Sequence, residues 1–390
     1  MRYLILTIFI SAIFSAHSQS TVSDQREAIS VLQKTSDKLN RLSTLSYTIK
    51  RELNYASEGY RNVSEWLCYF DFDPTNTTVG FKYQVEDSTS GSFFNGTEKF
   101  ELNKVRKTIQ INTTPGKGDF NRLSYLYNSM VTLRNILPLI ITDHNSSKAV
   151  TDTIINNRPC QVVTLNIGKR RIQNLGVGFD TMETKYNFIY SITIDKISQL
   201  PTDVLQGNDR NDDFIKTSFL YISLIPGHPS EASWYYSTYT DEYKQVKQKN
   251  IPPLIPVGSI AGDWTLPVFN ENENISLSQL KGKVVLLDFW FKNCGPCIES
   301  VPHLNAIKGR FKKAELEILG INIWDSEKDI GGFCNKHEVA YTVLMNGKAL
   351  AEKYGINLFP TVILIGKKGN VLYSGGFDPP KVEKLIEKAL

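Results

Sequence analysis

The sequence predicts a two-domain protein, a mostly antiparallel β domain followed by an α/β domain, and three observations predict it. Segments that alternate apolar and polar residues recur up to about position 250. After position 259, fully apolar strands alternate with helical stretches. A proline-rich segment, 248–258, separates the two patterns and would be extended and stiff. The chain has 390 residues, 41% hydrophobic and 22% charged, an ordinary globular composition with length for two or more domains. Its formal charge of +4 is small for this length and no Lys/Arg block occurs. Neither nucleic acid nor an anionic membrane is therefore an expected partner.

Residues 1–18 read as a secretory signal peptide. Met1-Arg2 supplies a positive charge, Tyr3 to Phe14 is an almost unbroken apolar run, and Ala16-His17-Ser18 offers a small-x-small cleavage pattern. The run is short of a bilayer span, and no cysteine stands at the cleavage site to carry a lipid. The expected location is the periplasm or another extracytoplasmic compartment. Residues 19–247 form the first domain. Asp24 with Glu27 suggests a capping pair, and Ile29, Leu32, Leu39 and Leu42 mark one face of a helix. Strand patterns follow at Tyr47 to Leu53, Val79 to Val85, Val105 to Ile111, Gln161 to Ile167 and Tyr186 to Ile194, with a helical interruption near Phe120 to Ile136. The expectation is a long, curved, mostly antiparallel sheet with a few helices. Trp234-Tyr235-Tyr236 are expected as packed sheet residues. Asn-x-Ser/Thr triplets at Asn62, Asn76, Asn95, Asn112, Asn145 and Asn274 are taken as chance in this Asn-rich chain.

Residues 259–390 form the second domain, with strands at about 284–290, Leu316 to Trp324, 361–366 and Val371 to Ser374. Helices are expected from Cys294, around Asp329 to His337, and from Pro380 to Ala389. One motif here carries chemistry: Trp290-Phe291-Lys292-Asn293-Cys294-Gly295-Pro296-Cys297, directly after the apolar run Val284 to Phe289. A Cys-x-x-Cys pair where a buried strand gives way to a helix is suited to exchanging electrons, because the helix N-terminus stabilises a thiolate. A zinc knuckle would need a second Cys or His pair at ligand spacing. Cys68, Cys160 and Cys334 are scattered singly and the histidines form no cluster. No metal or separate cofactor is expected, the redox group being the Cys294–Cys297 dithiol itself. Asp288 interrupts the apolar strand, and a buried carboxylate without a counter-charge has a raised pKa, which suits it to take and return the proton of the second thiol. In an oxidising compartment Cys68 and Cys160 either close a structural disulfide or are small buried hydrophobes. Cys334 is expected as a buried, inert thiol.

These residues resemble the thioredoxin superfamily, in which a hydrophobic strand and an aromatic pair lead into C-G-P-C at the start of a helix. Asp288 matches an acidic residue of thioredoxin, and Pro302 matches the proline that kinks the active-site helix. Phe359-Pro360-Thr361, ahead of the apolar strand Val362 to Ile365, resembles the family's cis-proline loop, which lies against the two cysteines and offers its backbone to a substrate peptide. Ile275 to Lys283 is similar to the lead-in of the TlpA and ResA-type branch. Two departures from that branch are the wording of Gly262 to Leu266 and the short stretch Asp325 to Gly332. In the first domain, Phe93 to Phe100 and Ile194 to Pro201 are similar to phrases of LolA-like half-barrels, which bind lipidic or other apolar ligands.

The resemblance implies an exported thiol-disulfide oxidoreductase, most often a reductant of the bacterial envelope. A solvent-exposed Cys294 would attack a substrate disulfide, a more buried Cys297 would resolve the mixed disulfide, and Asp288 would take the proton of Cys297. Trp290, Gly295, Pro296, Phe359 and Pro360 would frame the substrate. The implied partners are disulfide-containing envelope proteins, apocytochrome c among the clients, and a membrane electron donor of the DsbD or CcdA kind. An apolar ligand is expected of the first domain if it binds one. An oxidase or isomerase of the same fold, and a binding protein whose thioredoxin part is accessory, stay open. A peroxiredoxin would need Pro-x-x-x-Thr-x-x-Cys, and Leu287 and Phe291 stand where the Pro and Thr would be.

Overall fold

The computed structural model describes residues 22–121, 123–182, 184–247, 252–311 and 315–390. The signal peptide expected over 1–18, and positions 248–251 of the expected linker, lie outside the described residues. The chain divides into two compact units, 1–248 and 249–390.

The first unit begins with helix α1 (Val22–Asn40), whose buried positions Ala28, Val31, Leu32, Thr35, Ser36 and Leu39 follow the helical i, i+3, i+4 spacing. Thr35 and Ser36 fill the gaps in the apolar pattern. Asp24 lies within the first turn, so it is not the residue that opens the helix. Six strands then meander: β1 (Thr44–Tyr55), β2 (Tyr60–Phe72), β3 (Phe81–Glu86), β4 (Ser90–Phe94), β5 (Lys99–Asn103) and β6 (Thr108–Asn112). Expected strand material at Val105 is instead the turn between β5 and β6, with its side chain exposed. Helix α2 (Met130–Thr142) starts later than expected, because 117–120 and 124–126 form single 3-10 turns and Ser129 caps the helix by accepting from Thr132 N. Arg134 of α2 donates to the Leu39 and Leu42 carbonyls at 2.8 and 2.9 Å, a cation at the C-terminal end of α1.

The sheet continues with β7 (Ser147–Ile155) and β8 (Arg158–Asn166), and a separate ribbon pairs β9 (Arg170–Ile172) with β10 (Phe179–Thr181). Strands β11 (Phe188–Asp195), β12 (Pro201–Asn208) and β13 (Phe214–Ser223) follow, and β14 (Lys244–Val246) ends the unit. Twelve strands run in the order β14-β6-β5-β4-β3-β2-β1-β13-β12-β11-β8-β7. All pairs are antiparallel except β14, which lies parallel on β6. β1 alternates between buried and half-buried positions over Thr44 to Ile49, whereas all eight residues of β11 are buried, as befits a strand covered on both faces. Tyr47, Phe70, Phe81, Tyr83, Phe94 and Phe120 fill the core between the sheet and α1 and α2 with fully or almost fully buried rings.

Of the two states open to Cys68 and Cys160, the structure shows the small buried thiol, whereas the place expected for Trp234, Tyr235 and Tyr236 needs correcting. Cys68 on β2 and Cys160 on β8 are free thiols. The strands stand five places apart in the sheet, about 24 Å at the usual strand spacing, far beyond disulfide reach. Trp234, Tyr235 and Tyr236 are not in the sheet: Trp234 ends one 3-10 turn, 231–234, Tyr236 opens the next, 236–239, and Tyr235 is the extended residue between them. From there Tyr236 and Tyr239 pack on Phe93 and Phe100.

The second unit carries a hairpin of β15 (Thr265–Pro267) and β16 (Asn274–Ser276), then β17 (Val284–Trp290), helix α3 (Gly295–Arg310), β18 (Leu316–Asn322), helix α4 (Glu327–Lys336), β19 (Thr342–Leu344), helix α5 (Lys348–Lys353), β20 (Thr361–Ile365), β21 (Val371–Gly376) and helix α6 (Pro379–Ala389). The sheet order is β19-β18-β17-β20-β21, with β17, β18 and β19 parallel and β20 and β21 antiparallel to their neighbours. β19 and α5 have no counterpart in the sequence expectation, both being too short for a periodic signal.

Candidate active site

Central strand β17 is buried at all seven positions because both its faces are covered. Val285, Leu287 and Phe289 join a core with Leu350, Ala351 and Tyr354. Val284 and Leu286 face the other way, toward Leu304 and Ile307 of α3 and Val382 and Ile386 of α6. The two-residue period of a strand puts Asp288 and Trp290 on that same α3 face. A continuous apolar run thus carries one carboxyl beneath the helix that follows.

That helix begins at the cysteines. Cys294 is its N-cap, and Cys297 N donates to the Cys294 sulfur at 3.3 Å. Pro296 lies within the first two positions, where a missing N–H costs nothing. Cys294 and Cys297 are joined in a disulfide with their Cα atoms 5.2 Å apart. Pro302 lies inside α3 and has no N–H to donate to the preceding turn. The Phe359–Pro360 peptide is cis, and Thr361 Oγ1 donates back to the Leu358 carbonyl at 2.8 Å.

Cys294 is not solvent-exposed as expected: it is 5% exposed, against 1% for Cys297. Both sulfurs belong to a cluster with Trp290, Val301, Ile330, Phe333 and Val343, against which Phe291 and Phe359 also pack. Gly295 and Pro296, between the cysteines, are exposed. Trp290 does not frame a contact surface either. It is 2% exposed and stacks on Phe333 at 4.2 Å between centroids, supporting the disulfide from within. The exposed indole beside the site is Trp324, whose ring meets Phe291 at 5.3 Å and Phe359 at 5.9 Å. Phe291 and Phe359 close this triangle at 5.4 Å. Trp324 was not singled out from the sequence, and only its place just after an apolar strand could have drawn attention to it. Lys292 fixes the loop before the cysteines, donating through its backbone N to Asp325 and through Nζ to Asp329.

Asp288 is 1% exposed, and burial pushes its carboxyl up to about 7, opposed by a hydroxyl contact from Tyr341 at 3.5 Å. Asp288 Oδ1 and Trp290 Nε1 are buried with no hydrogen-bond partner among the described residues. Cys334 on α4 is half-buried rather than buried, and burial pushes its thiol up to about 11, so it stays protonated at neutral pH.

A buried Cys-x-x-Cys disulfide at the first turn of a helix, a cis-proline loop beside it and a buried carboxyl below define a thioredoxin-fold thiol-disulfide oxidoreductase. Residues 257–374 match the model of the AhpC/TSA family. The thiol-disulfide oxidoreductase ResA of Halalkalibacterium halodurans is 32% identical over 120 residues, covering 30% of this chain and 68% of that protein. ResA of Geobacillus kaustophilus is 26% identical over 155 residues, covering 39% of this chain and 85% of that protein. Among solved structures, the thioredoxin domain of a Bacteroides vulgatus thiol-disulfide oxidoreductase is 26% identical, covering 34% of this chain and 97% of that chain with a TM-score of 0.32. The chain belongs to the ResA family of thiol-disulfide oxidoreductases.

Proposed function

We propose that the protein is an extracytoplasmic reductase of protein disulfides in the cell envelope. The observation that carries this reading is the Cys294–Cys297 pair at the N-terminus of α3 over the buried Asp288. In the reduced enzyme the Cys294 thiolate attacks one sulfur of a substrate disulfide. A mixed disulfide forms and the other substrate sulfur leaves as thiolate to be protonated. Cys297 then gives its proton to the Asp288 carboxylate and attacks the Cys294 sulfur, releasing the second substrate thiolate, which takes up a proton in turn. The substrate gains two electrons and two protons, and the enzyme is left as the disulfide seen here. Phe359 and Pro360 border the reacting sulfurs, and Gly295 and Pro296 present backbone to the substrate. A membrane dithiol carrier of the DsbD or CcdA kind returns the electrons.

The ResA relatives, thiol-disulfide oxidoreductases by name, support the chemistry, and the reducing direction is the part of this reading that the potential decides. In this reading residues 1–18 are the export signal, 248–258 a linker, and 19–247 and 259–390 the two domains. The N-terminal sheet, curved as a half-barrel, is a docking scaffold rather than a container for an apolar ligand, because aromatic rings fill its core. A binding module with an accessory dithiol is correspondingly disfavoured.

The test is the reduction potential of the Cys294–Cys297 pair in the purified mature protein, by equilibration with thiol buffers and thiol trapping. A value near or below about −270 mV supports a reductase. One toward about −120 mV overturns the direction and makes the protein a disulfide donor.

A further inference from the structure

Next to Asp288 lies a group that the exchange steps above do not use. Tyr341, just before β19, is 6% exposed, and its hydroxyl donates to Asp288 Oδ2 at 3.5 Å, long for a hydroxyl donor. The tyrosine fits only because its neighbour on β18, directly across from Asp288, is glycine. A Cβ on Gly320 would stand 2.8 Å from the Tyr341 ring and 3.0 Å from Trp290 Nε1, closer than side chains pack. Gly320 therefore makes room for a phenol and an indole around one carboxyl. The phenol engages Oδ2, while Oδ1 is buried with no partner among the described residues.

We propose that Tyr341 is a positioning residue for the exchange reaction: it holds Oδ2 of Asp288, so that Oδ1 is the oxygen that takes and returns the proton of Cys297. This rests on the role given to Asp288 above. Burial and the neighbouring Asp288 hold the Tyr341 hydroxyl well above its ordinary range, so it remains a donor throughout the working pH. The titratable groups facing Asp288 are few. α3 brings Cys294 and Cys297, the segment before β19 brings Tyr341, and α4 brings Cys334, which acts electrostatically on Tyr341. β18 and β20 present Gly320 and Val362 opposite Asp288, and the buried face of α6 is apolar. A donor to the carboxylate lowers its proton affinity, so losing the hydroxyl makes Asp288 a weaker acid.

The experiment measures the rate of resolution of a mixed disulfide on Cys294, with the full mature chain, across pH. In the parent protein the rate rises through the Asp288 ionisation near pH 7, and Asp288→Asn removes that limb. Tyr341→Phe shifts the limb to higher pH, so that the rate below pH 7 falls about fivefold while the alkaline plateau is unchanged. Added to Asp288→Asn, Tyr341→Phe changes nothing further. If Asp288→Asn leaves the limb intact, the role given to Asp288 fails and this proposal fails with it. If Asp288→Asn removes the limb but Tyr341→Phe leaves its midpoint in place, the positioning role alone is overturned. Should Tyr341→Phe not fold, Gly320→Ala, which displaces the ring but keeps its hydroxyl, must move the carbon-13 titration of the Asp288 carboxyl upward, and an unmoved titration overturns the proposal.

Discussion

Cys68 in the first unit and Cys297 in the second are almost equally hidden, at 0% and 1% exposure. Cys68 sits mid-strand between Tyr47 and Val85 on the neighbouring strands, and burial pushes its thiol far up. Cys297 sits in the first turn of a helix, where backbone N–H groups are not used up by the preceding turn, and its own N–H points at the sulfur of its disulfide partner Cys294. Burial by itself makes a thiol inert. What converts a buried cysteine into a redox group is the set of unpaired donors that a helix start supplies. Two particular buried polar clusters, one from each unit, also differ, although both units hold other buried polar atoms without a partner among the described residues. In the first unit the hydroxyls of Tyr125, Ser92 and Tyr83 form a closed network: Tyr125 donates to Ser92 at 2.7 Å, and Tyr83 lies 3.1 Å from Tyr125 and 3.2 Å from Ser92. In the second, Asp288 keeps one oxygen without a partner among the described residues.

The largest effect expected from this contrast is on turnover. Cys294→Ser or Cys297→Ser reduces thiol-driven reduction of a protein disulfide to the background rate, whereas Cys68→Ala and Cys160→Ala leave it unchanged. A loss on replacing either sheet cysteine would break the comparison. Next comes stability against pH. Asp288 is protonated in the folded oxidised protein up to about pH 7, while in the unfolded chain it ionises near pH 4. The folded state therefore binds more protons between those values, and stability contributed by the neutral carboxyl is present below pH 4 and lost as pH rises through 7. Its size is on the order of 4 kcal/mol. Guanidinium unfolding at pH 5 and pH 8 should show a fall that Asp288→Asn flattens. A smaller loss follows from opening the closed network. Tyr125→Phe should cost about 2 kcal/mol by urea unfolding, equally at pH 5 and pH 8, because no ionisation near neutrality is involved. Least of all, removing the helix caps by Ser129→Ala in the first unit or Ser326→Ala in the second should cost about 1 kcal/mol each. Equal losses there would show that the units differ in chemistry and not in how their helices are held.

The second unit was the more legible in sequence, for a physical reason. Its strands are buried on both faces, so Val284 to Phe289 and Val362 to Ile365 appear as unbroken apolar runs, and the residues at the cysteine turn are constrained by geometry. The first unit was readable where one face is half-exposed, as in β1. Reading failed where a turn is itself apolar, as at Val105, and where rings leave the sheet, as at Trp234. The disposition of Trp290 and Trp324 was not legible either. Which of two indoles is stacked inward and which is left in solvent depends on Phe333, Phe291 and Phe359, brought together from distant positions.

The three residues Lys244 to Val246 lie parallel along β6, which would otherwise be the last strand on that side of the sheet. An unpaired strand margin is a template for another polypeptide, and short or charged additions are how soluble proteins blunt it. A fragment ending before Lys244 would expose Thr108 to Asn112 as an adhesive border, with Ile109 and Ile111 along it, and should self-associate on concentration. The same segment thus governs where the protein can be cut to yield a well-behaved sheet.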